Sequence, residues 1–253
     1  MRLTILRTFL GVALVAAAAA CSGQKPATAA APPPDAKRVD DSKTGALAGR
    51  VLIEGPVPAN VPIKMLTDPY CLRAHPDGSS FESYVVENGG LENVFVYVKD
   101  GLGNYVYDTP TTPAVLDQKG CRYTPHVFGV RVNQPVEIVN SDPTLHNIHA
   151  LPKANQEFNN GQPIQGMKMT HTFTAKEVMV PFKCDVHGWM NAYVGVLDHP
   201  YFAVTGNDGT YSLASLPAGT YTIEAWHEKL GATTQSVTIG PKETKEVTFS
   251  FKI

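Results

Sequence analysis

Beyond its N-terminal apolar run the chain lacks helical periodicity, and short runs of β-branched and aromatic residues recur between turn signals instead. Val94 to Val98, Phe128 to Val132 and Val136 to Val139 are of this kind. Towards the C-terminus the pattern sharpens. Asn207-Asp208-Gly209 reads as a hairpin turn, and Leu216-Pro217-Ala218-Gly219 fits a type I turn with proline second and glycine fourth. Around these turns Tyr221, Ile223 and Ala225 share one strand face, Val237 and Ile239 another, and Val247, Phe249, Phe251 and Ile253 mark a last strand. The expectation is an all-β protein.

The first twenty residues are excluded from that reading. Arg2 and Arg7 precede an apolar stretch from Phe9 to Ala20 that ends in small residues, the form of an export signal. Cys21 follows at once, which resembles a bacterial lipoprotein signal with lipidation of that cysteine. Ala18 stands where that pattern expects leucine, so an ordinary cleaved signal is the alternative. Either way the chain leaves the cytoplasm; the lipidated form would sit on the periplasmic side of a membrane, the outer membrane in particular. Residues 21–44, with Pro32-Pro33-Pro34, read as a flexible tether.

A formal net charge of -2 argues against a nucleic-acid partner. Of the 4 cysteines, setting Cys21 aside leaves Cys71, Cys121 and Cys184. In an oxidising compartment two of these should pair, so the remaining thiol needs a chemical reason to exist. Cys184 has one. A type 1 copper site takes one thiolate, two imidazoles and a weak axial thioether, a compromise geometry acceptable to both oxidation states. Cys184-Asp185-Val186-His187-Gly188-Trp189-Met190 can deliver three of these from one loop. The second imidazole must come from elsewhere, and Asn140 to His149 follows a predicted strand and offers His146 and His149.

At these two segments the chain resembles the cupredoxin family of blue copper proteins, plastocyanin- and amicyanin-like. "TPHVFGVRVNQPVEIVNSDPTLHNIH" looks like the family's opening strands and first ligand loop, and "CDVHGWM" like its closing loop. The resemblance implies a Greek-key β-sandwich over 113–198 holding one type 1 copper. By resemblance the ligands are His146, Cys184, His187 and Met190; Asn147 hydrogen-bonds across to the Cys184 loop and fixes ligand geometry. His149 competes with His146, but the His-Asn pair matches the family motif at 146. The resemblance also implies that His187 presents its ring edge at the surface within an apolar patch, as the port for electrons. A second stretch, "YFAVTGNDGTYSLASLPAGTYTIEAW", looks like the transthyretin-like sandwich of carboxypeptidase regulatory-like domains, covering 199–253. Residues 45–112 are a β-rich extension. Gly45 to Ile53 and Asn93 to Val98 have the form of that sandwich's first strands, so the copper domain is suggested to be inserted within it, with sequential domains as the simpler arrangement.

The function so implied is outer-sphere electron transfer to a redox partner protein, without turnover of a small-molecule substrate and so without enzyme activity. The alternatives are a copper carrier and a non-redox adhesion or scaffold module with a decayed copper site. Met167, Met169 and His171 could serve a carrier by holding Cu(I), although on a strand they suit one packed face. Cys71 and Cys121 most simply form a disulfide; with His75 and His126 close by in sequence, a Cys2His2 zinc-like site is the rival. Trp226-His227-Glu228 is expected as a surface turn, with a contact to the copper domain as the other possibility.

Overall fold

The computed structural model describes residues 35–65 and 68–253. The export signal, Cys21 and residues 22–34 of the tether lie outside the described residues. Among the described residues the chain is all-β apart from one short helix, α1 (Pro69–Ala74), and a single 3-10 turn. In chain order the strands are β1 (Thr44–Glu54), β2 (Val86–Glu87), β3 (Gly90–Leu91), β4 (Phe95–Asp100), β5 (Ala114–Gln118), β6 (Tyr123–Thr124), β7 (Val127–Arg131), β8 (Pro135–Asn140) and β9 (His146–Ala150). They continue as β10 (Phe158–Gln162), β11 (Lys168–Thr172), β12 (Glu177–Lys183), β13 (Asn191–Leu197), β14 (Phe202–Val204), β15 (Thr210–Pro217), β16 (Gly219–His227), β17 (Gly231–Ile239) and β18 (Thr244–Lys252).

Two sandwiches result. In one, the sheet β10-β9-β12-β13-β7 faces the sheet β11-β8-β5-β6. Their inward residues form one core that includes Leu116, Phe128, Val130, Val136, Ile138, Ile148, Phe173, Phe182 and Val194. In the other, β15-β1-β3-β2 with β18 beside β1 faces β14-β4-β16-β17. Alternation dictates the inward set here: Val247, Phe249 and Phe251 are buried on β18 while their neighbours are exposed. Ile253 falls past the end of that strand and is exposed.

Strand pairing makes the second sandwich discontinuous in sequence. β1 runs parallel to β18 from Ala46↔Thr244 to Glu54↔Lys252 and antiparallel to β15. β4 is flanked by β14 and β16. Strands β5 to β13 therefore sit between β4 and its partner β14. This placement explains a difference from the sequence reading: Asn207-Asp208-Gly209 is not a hairpin turn. It carries the chain from β14, paired with β4, to β15, paired with β1 in the opposite sheet. Gly209 adopts φ 78, and a Cβ there would stand 2.4 Å from the Val51 carbonyl oxygen, so glycine is required.

The sandwiches meet at a third cluster of Phe95, Tyr97, Val127, Met179 and Leu197, with Phe202 and Trp226 against it. A Cβ on Gly195 would lie 2.3 Å from the fully buried Phe95 ring, so glycine lets the strand approach that ring. Trp226-His227-Glu228 belongs to this junction, and the expected surface turn is corrected. His227 is buried and stacks on Tyr84, and Trp226 packs on Tyr193 at a centroid distance of 5.1 Å. Glu228 accepts from His126 Nε2 at 2.8 Å and Tyr193 Oη at 3.2 Å. The polar composition suggested exposure, but buried partners from the other sandwich satisfy it.

Because β1 is central in its sheet, residues 199–253 alone lack two framework strands. Expressed by themselves they should give a disordered circular dichroism spectrum, whereas a chain joining 45–100 directly to 200–253 should fold cooperatively. Cooperative folding of 199–253 alone would contradict this architecture.

Candidate metal centre

β12 and β13 form a hairpin whose last paired residues are Lys183 and Asn191, so Cys184 and Met190 stand opposite each other where the ladder ends. Cys184 N donates to Met190 O at 3.1 Å, and Met190 N to His187 O at 2.8 Å, folding 184–190 into a tight loop. The His187 N–H points at Cys184 Sγ, 3.2 Å away. His146 opens β9, the neighbour of β12, with its side chain inward. His146, Cys184, His187 and Met190 are 0%, 1%, 2% and 2% exposed.

The ligand-type atoms of His146, Cys184 and His187 lie within 4.8 Å of one another. The Nδ1 atoms of the two histidines face each other at 2.9 Å, and His187 Nδ1 is 4.0 Å from Cys184 Sγ. Each outer nitrogen meets a carboxylate. His146 Nε2 is 2.9 Å from Asp142 Oδ2, and His187 Nε2 is 3.0 Å from Asp68 Oδ2. An ionised carboxylate only accepts, so both Nε2 atoms carry hydrogen, and when both imidazoles are neutral both Nδ1 atoms turn lone pairs inward. Two lone pairs at that distance beside a sulfur repel unless a proton on one imidazole or a metal cation lies between them. A first-row metal about 2.0 Å from nitrogen and about 2.3 Å from sulfur spans donors roughly 3 to 4 Å apart, so the donor set fits a soft or borderline cation.

Electrostatics point the same way. Burial pushes the Cys184 thiol up, but contacts with His146 and His187 and the backbone N–H groups of Asn147 and His187 outweigh it, bringing it down to about 6. Burial raises Asp68 too, yet hydrogen bonds from Thr144, the Cys71 and Tyr70 amides and His187 bring it to about 2. Asp142 is held below its usual range, against burial, by His146, the Cys121 and Gly120 amides and Tyr70. His146 is raised: burial lowers it, and Asp142 and Cys184 together more than compensate.

Asn147 reaches across to the closing loop. Its Oδ1 accepts from Asp185 N at 2.7 Å and Val186 N at 3.3 Å, and lies 3.2 Å from Cys184 Sγ. Its carbonyl accepts from the Tyr123 hydroxyl. His149 is three residues from His146 and therefore on the other strand face. There it bridges Asp185 and Glu157, at 2.8 Å each, outside the cluster. Met167, Met169 and His171 are not brought to the site: Met169 packs on the core and His171 stacks on Phe158 at 3.9 Å.

Two features depart from expectation or were missed. The ring edge of His187 is not at the surface. The extension covers it: Asp68 caps α1 and holds Nε2, Tyr70 Oη donates to Asp142 Oδ1 at 2.8 Å, and Cys71 Sγ is 3.7 Å from His187 Nε2. Cys71 is disulfide-bonded to Cys121, which ties this cap to the turn before β6 and removes both sulfurs from a zinc-like site. Consistently, His75 Nε2 engages Gly120 O and His126 engages Glu228. Asp142 and Asp68 went unassigned in the sequence. Asp142 lay in the segment quoted for His146, four residues before it, and its value as a signal depended on a return of the chain that spacing does not reveal. Nothing near Asp68 marks it beyond the helix-capping pattern Asp68-Pro69.

Residues 190–252 match the family model of the carboxypeptidase regulatory-like domain. No curated protein matches the chain. Among solved structures it is similar to a copper-containing nitrite reductase from Thermus scotoductus, at 20% identity over 35% of this chain and 23% of that one, TM-score 0.33. It is also similar to a purple cupredoxin from Nitrosopumilus maritimus, at 21% identity over 33% and 98%, TM-score 0.29. A Cu(I) amicyanin variant aligns at 22% identity over 33% and 81%, TM-score 0.30. The chain thus spans about a quarter of the nitrite reductase.

If the carboxylates set the inward lone pairs, Asp142→Asn should weaken metal affinity about 10–100-fold with the fold retained, as for other groups that orient a ligating histidine. Competitive titration with a chelator measures this, and unchanged affinity would remove Asp142 from the site.

Proposed function

We propose that the chain is a type 1 copper protein of the cell envelope that carries single electrons by outer-sphere transfer. The observation that carries this reading is the pair of inward Nδ1 atoms beside a low-pKa thiol, each imidazole locked from behind by a carboxylate. His146, Cys184 and His187 would hold the copper, with Met190 as the weak axial donor from the same loop. Bound copper supplies a one-electron couple at nearly fixed geometry.

The chain's own residues supply the rest. Asp142 and Asp68 keep both Nε2 positions protonated and make the imidazoles stronger donors. Asn147 fixes the start of the closing loop, and the His187 N–H stabilises negative charge on Cys184 Sγ. Every donor is buried among the described residues, which favours electron exchange over turnover. Electrons would pass through the thin wall of the closing loop, where Val186 is exposed and Trp189 lies against His187 at a centroid distance of 5.0 Å. The partner is a redox protein that docks there.

Export rests on the N-terminal signal, and the Cys71–Cys121 disulfide suits an oxidising compartment. Lipidation of Cys21 would hold the protein to the outer membrane on its periplasmic side. Incorporation of labelled fatty acid, lost in Cys21→Ala, tests that anchor, and no incorporation into the unaltered chain would refute it.

Copper-loaded protein should show an intense visible thiolate-to-copper band and a reversible one-electron couple, with the band abolished in Cys184→Ser. A colourless copper-loaded protein would overturn the reading.

A further inference from the structure

The cap over His187 has consequences for how a metal reaches the centre. All three strong donors are at most 2% exposed, and on the His187 side the cover is α1 together with Asp68. A helix of 6 residues with Cys71 as its one buried side chain has little to hold it in place unaided. What holds it is the Cys71–Cys121 bond, the Asp68 bonds to His187 and Thr144 (3.0 and 2.7 Å), and the Tyr70–Asp142 bond. The bond closes 50 residues of sequence separation and is itself fully buried. Once formed in the folded chain, it is out of reach of an external thiol.

The two sulfurs also occupy a telling place. Ligand-type atoms of Asp68, Cys71 and His187 lie within 4.8 Å of one another, as do those of Cys121, Asp142 and His146. Each sulfur is therefore grouped with the outer face of one imidazole. Paired, the sulfurs are poor ligands; as free thiols they are soft donors between the solvent and the centre.

We propose that Cys71 and Cys121 act as thiols first, forming an entry site through which a soft cation such as Cu(I) passes to Cys184, His146 and His187, and that their pairing then latches the cap and makes the centre inert to exchange. Metal insertion thus precedes disulfide formation. In the closing step the two thiols lose two protons and two electrons to the disulfide of an envelope thiol oxidant, which leaves as a dithiol. This rests on the copper reading for its ligand, whereas the latch itself can be tested without metal.

The first measurement is alkylation of Cys184 by iodoacetamide in metal-free protein. It should be at least tenfold slower with the disulfide intact than in Cys71→Ser/Cys121→Ser or in wild-type protein unfolded, reduced by a phosphine and refolded in its presence. Equal rates would overturn the latch. The second is uptake of Cu(I) by metal-free protein, and its release to a chelator. Uptake should be fastest in reduced wild type, slower in the double serine variant, which is open but lacks the entry thiols, and slowest with the disulfide intact. Release should be at least tenfold faster from the double variant than from the latched protein. If the double variant takes up Cu(I) as fast as reduced wild type, the entry role is refuted. If it fails to fold, the comparison of oxidised with reduced wild type decides the latch, and the single variants Cys71→Ser and Cys121→Ser, each open with one thiol removed, decide the entry role: uptake as fast as in reduced wild type refutes it. Protection of Cys184 in a protein that binds no copper would keep the latch and sink the copper reading instead, so the two failures are distinguishable.

Discussion

Two buried imidazole–carboxylate pairs determine what the centre can do. Asp142 and Asp68 each take the outer nitrogen of a histidine, which turns the inner nitrogens toward each other, 2.9 Å apart. With both imidazoles neutral, a folded chain tolerates this only if a proton or a metal ion sits between them, because buried groups of like polarity with no donor cost several kcal/mol. The carboxylates are in turn held ionised by donors of their own: the Gly120 and Cys121 amides and Tyr70 for Asp142, and Thr144 and the α1 amides for Asp68. The preference for a cation is thus built into layers of hydrogen bonds and does not depend on Cys184 alone.

The scaffold makes those layers rigid. The closing loop is the end of a hairpin whose strands lie in the middle of a five-stranded sheet, and the strand that opens with His146 is its neighbour. The second sandwich braces the same sheet from outside through Phe95, Phe202 and the buried Glu228–His126 contact. The extension contributes strands to one sandwich and a cap to the candidate metal site of the other. Its disulfide adds about 4 kcal/mol by the usual loop-entropy account.

Much of this was legible in the sequence, and for a local reason. His187 and Met190 lie within a few residues of Cys184, so one loop can present all three, and the His146-Asn147 pair matches the family motif where His149 does not. Strand alternation likewise gave the inward faces of β16, β17 and β18. What could not be read depends on contacts distant in sequence. Asp68 acts 119 residues from His187 and Tyr70 acts 72 from Asp142. The covered His187 follows from that: a loop that resembles an exposed one becomes buried when a remote segment folds over it. Glu228 and His227 misled for the same reason, since polar residues near a strand end are exposed unless remote segments cover them: His126 and Tyr193 of the other sandwich for Glu228, Tyr84 and Phe251 for His227.

The central claim is that the converging donors bind copper with one thiolate and two imidazoles. X-ray absorption at the copper edge of the loaded protein tests this most directly. The account predicts a shell of one short copper–sulfur and two copper–nitrogen contacts, with outer-shell scattering from two imidazole rings. A shell of nitrogen and oxygen alone, unchanged by Cys184→Ser, would contradict it.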